Sequence, residues 1–406
     1  MQKETAELFN WKLNTAVFLS SQGITLFGSM LVHYAVQWHI TLTTQSGVAM
    51  MLLSISIAVP IFLISPFAGV WADRYSKKLL INSADAGVAV VSLFMAVMFS
   101  LGFEHIALLM ACVAARGLGQ GIQTPAVGSF IPEITPSENL IQVNGVNSSI
   151  QSATAILAPI AGGVLITFMP VQTALFVDVV TAAIGISMLI FFVKAPAREK
   201  RGGRNAAWRD MAEGLSYIRG RAFVMKLIFV EVMFSLMFAP AAILTPLQTV
   251  RDFGPEPWRL VAIELAFFIG MTVSGALIGV FGGFKNKSHT MALATAIAGF
   301  SIIGLGLMEF FAPYLVFMGI CGLTMPAFDA PMRTVLQVKV DAEYMGRVFS
   351  VIAMLGSIMT PIGMTVWGPL ADIVPIDLLL IISGACIIGI GAYFISDKTL
   401  REAGRP

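Results

Sequence analysis

Charge is what this chain has least of. Only 12% of its 406 residues are Asp, Glu, Lys or Arg, about half of the roughly 25% that a soluble globular chain carries. A folded chain of this size could not cover a water-facing surface with so few charges. With 57% hydrophobic residues and a mean hydropathy of +0.84, a lipid bilayer has to supply the missing apolar solvent. The net charge of +2 is too small to hold a nucleic acid, and none is expected as a partner. Cysteine is scarce too. Cys112, Cys321 and Cys386 lie inside apolar runs without metal-ligand spacing and read as small buried hydrophobes. There is no Gly-x-x-x-x-Gly-Lys-Ser/Thr phosphate loop, which argues against direct drive by ATP, and no His/Glu metal spacing or nucleophile elbow. No catalytic residue, cofactor or metal is therefore expected, and the chain does not read as an enzyme. No cleavable signal peptide is expected either: residues 1–13 are polar, and the first apolar run is long enough to stay as an anchor.

What is present is a series of long apolar runs. A spanning helix needs about 20 mostly apolar residues. Runs that fit lie at 15–40, 48–70, 79–101, 106–128, 143–168 and 172–193, then at 225–249, 258–281, 290–309, 312–331, 346–371 and 376–396. The expectation is an all-α membrane protein of about twelve spans: a six-helix bundle over 1–193, a basic connection over 194–224, and a second bundle over 225–406. Within the connection, Met211, Leu215 and Ile218 recur at helical spacing, which predicts a short amphipathic helix over Trp208–Arg219 lying on the membrane surface. A disordered basic linker is the alternative. The placement of Lys and Arg sets the orientation. Only Arg251 and Arg259 fall in loops on the side opposite the N-terminus, and Arg116 falls within a span. An odd number of spans would scramble this partition. Both termini are expected in the cytoplasm of a bacterium, with the bundles in its cell membrane or inner membrane.

The two halves repeat. Thr124-Pro125-Ala126 in the fourth run returns as Met325-Pro326-Ala327 in the tenth, and Ala158-Pro159-Ile160 in the fifth as Thr360-Pro361-Ile362 in the eleventh. Gly69-Val70 returns as Gly279-Val280, followed by a weaker basic loop, Lys285-Asn286-Lys287. Three matches in order indicate two parallel six-helix repeats.

The most informative stretch runs from Gly69 through Asp73, Arg74, Lys77 and Lys78. It places an acid, an Arg and two Lys in a short loop between two apolar runs. Its spacing resembles the Gly-x-x-x-Asp-Arg-x-Gly-Arg/Lys-Arg/Lys loop after the second helix of major facilitator superfamily transporters, with Ser76 where that family prefers Gly. Further along, Ala115-Arg116, Val177-Asp178-Val179, Gly279–Gly282 and Glu343-Tyr344-Met345-Gly346-Arg347-Val348-Phe349-Ser350 resemble the macrolide-efflux branch of drug exporters in that superfamily. Siderophore exporters and lysophospholipid transporters share parts of this signature. The resemblance implies a monomeric secondary transporter, embedded in membrane lipid, that exports small amphipathic compounds such as macrolide antibiotics in exchange for protons by alternating access. It gives Gly69, Asp73, Arg74, Lys77 and Lys78 a gating role at the cytoplasmic mouth. Gly145, Pro159, Gly162 and Gly163 resemble the family's antiporter helix, with Thr154 and Ala158 in place of two of its glycines.

Charged groups inside a bilayer cost at least about 2.5–3.5 kcal/mol each on insertion scales, so they need partners or a water-filled cavity. The candidates for coupling or substrate contact are Asp85, Arg116, Asp178, Glu231, Glu264 and Asp329. Asp85 reads as a structural partner of the basic loop. Arg116 is expected to pair with Asp85 or Asp178. Glu231 and Glu264 are candidates for reversible proton binding near neutral pH, and Asp329 lies one turn from Arg333. His33, Gln37 and His39 in the first span read as hydrogen-bonded packing residues. Gly346 is expected to end a loop before the eleventh span. Arg347 then either anchors that span at the interface or makes a forked contact with a carboxylate, Glu343 being near.

Overall fold

The computed structural model describes residues 10–194 and 216–405; the side chains of Pro66, Val70, Asp73, Ala342 and Glu343 lie outside the described part. Among the described residues there is no strand, and twelve helices are long and apolar enough to cross a membrane. In order they are α1 (Trp11–Thr44), α2 (Gly47–Arg74), α3 (Lys77–Ser100), α4 (Ile106–Ile134), α5 (Leu140–Phe168), α6 (Gln172–Phe192), α7 (Ala222–Ile243), α8 (Pro257–Phe281), α9 (Lys287–Leu307), α10 (Phe311–Lys339), α11 (Ala342–Leu370) and α12 (Ile376–Ser396). A short helix, Lys398–Ala403, follows. Most of the expected amphipathic segment over Trp208–Arg219 lies outside the described residues; 216–220 are helical and Ile218 is buried.

Several helices outrun their apolar stretches. α1 has 34 residues, about 51 Å at 1.5 Å per residue, against a hydrocarbon core of about 30 Å. Backbone hydrogen bonding carries such helices beyond the membrane, where hydropathy gives no signal. Two expected loops shrink as a result. α2 runs through Arg74, leaving Tyr75 and Ser76 as the whole connection, and α10 runs through Lys339 rather than stopping near 331. Gly346 likewise sits inside α11 and has no positive φ, which corrects its expected place at a loop end.

The seventh span departs the other way. Expected as one helix over 225–249, it stops at Ile243 and continues as a short helix, Thr245–Gln248, and a π-helical turn, Thr249–Phe253. Pro240 and Pro246 flank the break; each lacks an N–H and crowds the preceding turn. Threonine hydroxyls take up carbonyls there: Thr245 Oγ1 donates to Ala241 O at 3.0 Å and Thr249 Oγ1 to Thr245 O at 2.8 Å.

The described residues form two compact units. The first takes the chain up to 39 and from 55 through α6; the second takes residues 40–54 and the chain from 216 onward. Inside the first, α3 lies against α4 and α6; inside the second, α9 lies against α10 and α12. Glycines bring other pairs close. A Cβ on Gly117 of α4 would stand 2.9 Å from Ile57 O of α2, and one on Gly322 of α10 would strike Phe267 O of α8. Gly162 of α5 meets Tyr34 and Trp38 of α1, and Gly363 of α11 meets Leu236 O of α7. Each pairing recurs six helices later. The repeat read from the prolines thus extends to which helices touch within each unit.

Burial is inverted relative to a water-soluble fold. Ser92, Asp178, Thr295, Ser301 and Ser383 are buried, while Phe168, Phe191 and Phe281 are exposed, as an apolar solvent requires. Cys112 and Cys321 are buried as expected, but Cys386 is exposed. It shares a stripe of α12 with exposed Leu378 and Ile382, four residues apart, and so belongs to the outer apolar surface.

Candidate functional site

The first unit carries an ionic cluster across four helices. Asp178 of α6 is 1% exposed. Arg116 of α4 binds its Oδ2 through Nη1 and also reaches Ser92 Oγ of α3. Ser92 Oγ donates to the same carboxylate at 2.7 Å, and Ser29 Oγ of α1 donates to Oδ1 at 3.3 Å. Of the two acids expected for Arg116, the fold supplies Asp178. Ser29 and Ser92 completed the cluster without a sequence signal of their own.

Asp85 does not reach the basic segment, which corrects the expected pairing. Its Oδ1 accepts from Gln123 Nε2 of α4 at 2.6 Å, and the same Nε2 lies 3.5 Å from Gln22 Oε1 of α1. The basic residues turn elsewhere. Lys77 pairs with Glu133 at 2.7 Å and donates to Ser129 O at 2.8 Å; Lys78 donates to Ile190 O at 2.9 Å and Val193 O at 2.7 Å. Two cations thus sit on the carbonyl-rich C-terminal ends of α4 and α6, where the helix dipole favours positive charge. Ser76 caps α3, its side chain accepting from Leu79 N, a service that Gly in the family pattern does not offer. Arg74 is exposed, and a Cβ on Gly69 would meet nothing within 4 Å.

In the second unit, Asp329 and Arg333 of α10 form the expected pair at 2.9 Å, both exposed. Glu231 of α7 is half-buried and shares a hydrogen bond with Ser235, with Asp329 and Arg333 as its charged neighbours. Glu264 of α8 is half-buried, with no ion pair among the described residues. His33, exposed, lies edge-on to Tyr34 at 5.4 Å, half-buried His39 lies 5.8 Å from Phe99, and Gln37 is buried. On the antiporter-like helix, Pro159, Gly162 and Gly163 are buried, whereas Gly145 is exposed with open space at its Cβ position.

Arg347 lies over the ring of Tyr344 at 5.2 Å, and that ring stacks on Tyr217 at 4.5 Å. Tyr217 OH donates to Asp341 Oδ2 at 3.0 Å, and Arg221 binds the same oxygen at 3.0 Å. The ring contact was not expected; a planar guanidinium stacks there as an ammonium does not. Arg347→Lys should leave membrane insertion intact and lower transport several-fold at equal expression. Unchanged transport in that variant would reduce Arg347 to an interfacial anchor.

Asp372, between α11 and α12, was not foreseen either. Its Oδ1 accepts from Gly47 N at 2.6 Å and Arg251 Nη2 at 3.1 Å; its Oδ2 accepts from Ser46 Oγ at 2.8 Å and Val48 N at 3.0 Å. Burial alone would raise this carboxyl, but hydrogen bonds from Val48, Gly47, Ser46 and Arg251 outweigh it and hold the group below the ordinary aspartate value of 3.8. No group of three or more His, Cys, Asp or Glu arranged to hold a metal ion occurs among the described residues.

Comparison with known proteins agrees with this architecture. The Major Facilitator Superfamily model matches residues 13–364. Macrolide efflux protein A of Streptococcus pyogenes is 26% identical over 386 residues, covering 93% of this chain and 94% of that protein. Macrolide efflux protein A of Enterococcus faecalis is 27% identical over 323 residues, 77% of this chain and 99% of its own length. Among solved structures, a bacterial homolog to the human lysosomal transporter Spinster, in an inward-facing and unoccupied conformation, superposes with a TM-score of 0.76 at 14% identity, covering 98% of each chain.

Proposed function

We propose, from the premise that this chain belongs to the major facilitator superfamily, that it exports small amphipathic compounds, macrolide-like antibiotics among them, by exchange for protons. The observation that carries the export reading is the likeness to macrolide efflux proteins along nearly the whole chain. In this reading the protein is a monomeric multidrug antiporter of a bacterial cell membrane, with both termini in the cytoplasm. Drive by proton exchange suits a chain without a phosphate loop and with half-buried acids on its spans. Glu231 and Glu264 carry the exchanged proton. Asp178, already bound to Arg116, is the acid least free to do so. Asp73 and Arg74 serve as the gating charges, Lys77 and Lys78 being committed to helix ends.

The test is expression in an efflux-deficient host against a drug panel, with and without a protonophore. Resistance to macrolides that collapses with the protonophore is the expected result. In proteoliposomes, Glu231→Gln or Glu264→Gln should abolish drug-driven proton movement. If both keep parental pH dependence, the coupling acid lies elsewhere or protons are not the counter-ion. A panel that yields no drug resistance, with movement of a siderophore or lysophospholipid instead, would replace the drug reading with export of another bulky metabolite.

A further inference from the structure

Seven polar residues inside the first unit fall into two layers with a common spacing. Ser29, Ser92 and Arg116 surround Asp178 in one. Gln22, Asp85 and Gln123 occupy the positions seven residues away on α1, α3 and α4. Seven residues are two helical turns, about 10.5 Å along the axis, so this second layer lies nearer the end where α3 begins with Lys77 and Lys78. On α6, the position seven residues from Asp178 is Gly185, which packs against Thr25 and the Ser21 carbonyl and offers no side chain. Each layer therefore holds one acid. Asp178 has a guanidinium; Asp85 has no cation partner among the described residues.

The second layer is also incompletely bonded. Asp85 is 6% exposed and Gln22 is 8% exposed. Asp85 Oδ2 and Gln22 Nε2 are both buried, and neither makes a hydrogen bond. An ionised carboxylate so placed has the Gln123 hydrogen bond on Oδ1 but no counter-ion to offset the cost of burying its charge. One proton on Oδ2 removes that charge and leaves Oδ1 free to accept from Gln123. A metal ion fits this layer poorly. Hard cations need several oxygen ligands, whereas the free groups here are one oxygen and one N–H donor.

We propose that Asp85 is a proton-binding residue of the first unit, separate from Glu231 and Glu264, with Gln22 and Gln123 as positioning residues. The step is a bare proton transfer from water to Oδ2, with no electrons moved. Around Asp85, α1 presents Gln22, α4 presents Gln123 and, two turns away, Arg116, and α6 presents Asp178, the acid whose charge acts on Asp85. Because Arg116 is engaged by Asp178, loss of the proton leaves two anions and one cation in the two layers. The proposal takes its purpose from the proton-exchange reading, but the site stands or falls without it.

The test is infrared difference spectroscopy of the purified full-length protein across a pH titration, in a Glu231→Gln/Glu264→Gln background so that those acids do not contribute. A protonated-carboxyl band should appear as pH falls and be absent in Asp85→Asn. Gln123→Leu, which removes the donor on Oδ1, should move its pH midpoint by about one unit or more. Asp85→Glu should shift the band's frequency instead of deleting it, which keeps the test open if the Asn variant folds poorly. An Asp85→Asn spectrum identical to its parent overturns the proposal. So does an Asp85-dependent signal confined to the ionised-carboxylate region that appears when sodium replaces potassium at constant pH, with no protonated-carboxyl band, which would make the layer a metal-cation site. Export insensitive to pH beside an intact Asp85 band would sink the proton-exchange reading and leave this site standing.

Discussion

Arg116→Met will abolish transport and strip the protein of much of its stability, while Arg116→Met combined with Asp178→Leu will recover the stability without the transport. The single change leaves Asp178, 1% exposed, as an anion with only the hydroxyls of Ser92 and Ser29 to bind it. Breaking a buried ion pair from one side costs about 3–5 kcal/mol, because the remaining charge keeps its desolvation penalty and loses its partner. At roughly 2–4 °C per kcal/mol for a large domain, the melting midpoint should fall by at least about 6 °C. The double change removes both charges and substitutes apolar groups of similar size, which is often neutral in stability. Thermal unfolding in detergent, read beside drug efflux at equal expression, separates the two outcomes. If Arg116→Met is as stable as the parent, the cluster is wetter than its burial implies. If the double variant still transports, the pair is purely structural.

That cluster also marks how far the sequence alone reaches. The twelve spans were legible because a bilayer demands about 20 apolar residues in a row and nothing in a soluble fold produces that pattern twelve times. The internal repeat was legible because Pro125 and Pro159 return as Pro326 and Pro361 inside the matching helices. Arg116 and Asp178 stood out because charge inside a span is expensive. Ser29, Ser92, Gln22 and Gln123 did not, because a neutral polar residue in a membrane helix is common and its meaning depends on which helices meet. Only a spacing of seven residues, Gln22 to Ser29, Asp85 to Ser92 and Arg116 to Gln123, hints at two layers, and that spacing acquires meaning once α1, α3, α4 and α6 are known to converge. The helix ends differ from the ends of the apolar runs for a related reason. Apolar runs mark the hydrocarbon boundary, while helical hydrogen bonding continues into water, so Arg74 and Lys339 became helix rather than loop. Lys77 and Lys78 could be seen to lie at a membrane edge, but their acceptors, Ser129 and Val193, come from chain segments 52 and 115 residues away.

Asp372→Ala should release the 40–54 segment from the second unit's framework and lower stability by about 1–2 kcal/mol. The first backbone N–H groups of a helix have no partner within it, and here those of Gly47 and Val48 are satisfied by Asp372 from 325 and 324 residues away, rather than by a local cap. Arg251 fastens the same carboxylate and also donates to Ala371 O at 2.6 Å and to Gln45 O. Gln45 is the one described non-glycine residue with positive φ, +47°, a conformation that costs free energy unless its surroundings hold it. Gly47 cannot easily move off, since a Cβ there would meet Gly368 O and Ala371 Cβ, so the backbones are in close contact. Removing the carboxylate therefore unties the α2 N-terminus, the strained Gln45 and Arg251 together. Hydrogen exchange should show the amides of Gly47 and Val48 losing protection in Asp372→Ala while the α9–α12 core keeps its own. The pH dependence has a defined sign. The Asp372 carboxyl is held below its ordinary value, so its contribution is fully present above the unfolded-state pKa and is lost as pH falls through the lower folded-state value. In the parent, protection of these amides should persist through mildly acidic pH and fail only below the usual aspartate range. Protection already lost at pH values where an ordinary aspartate is still ionised would show that Asp372 does not hold this helix end.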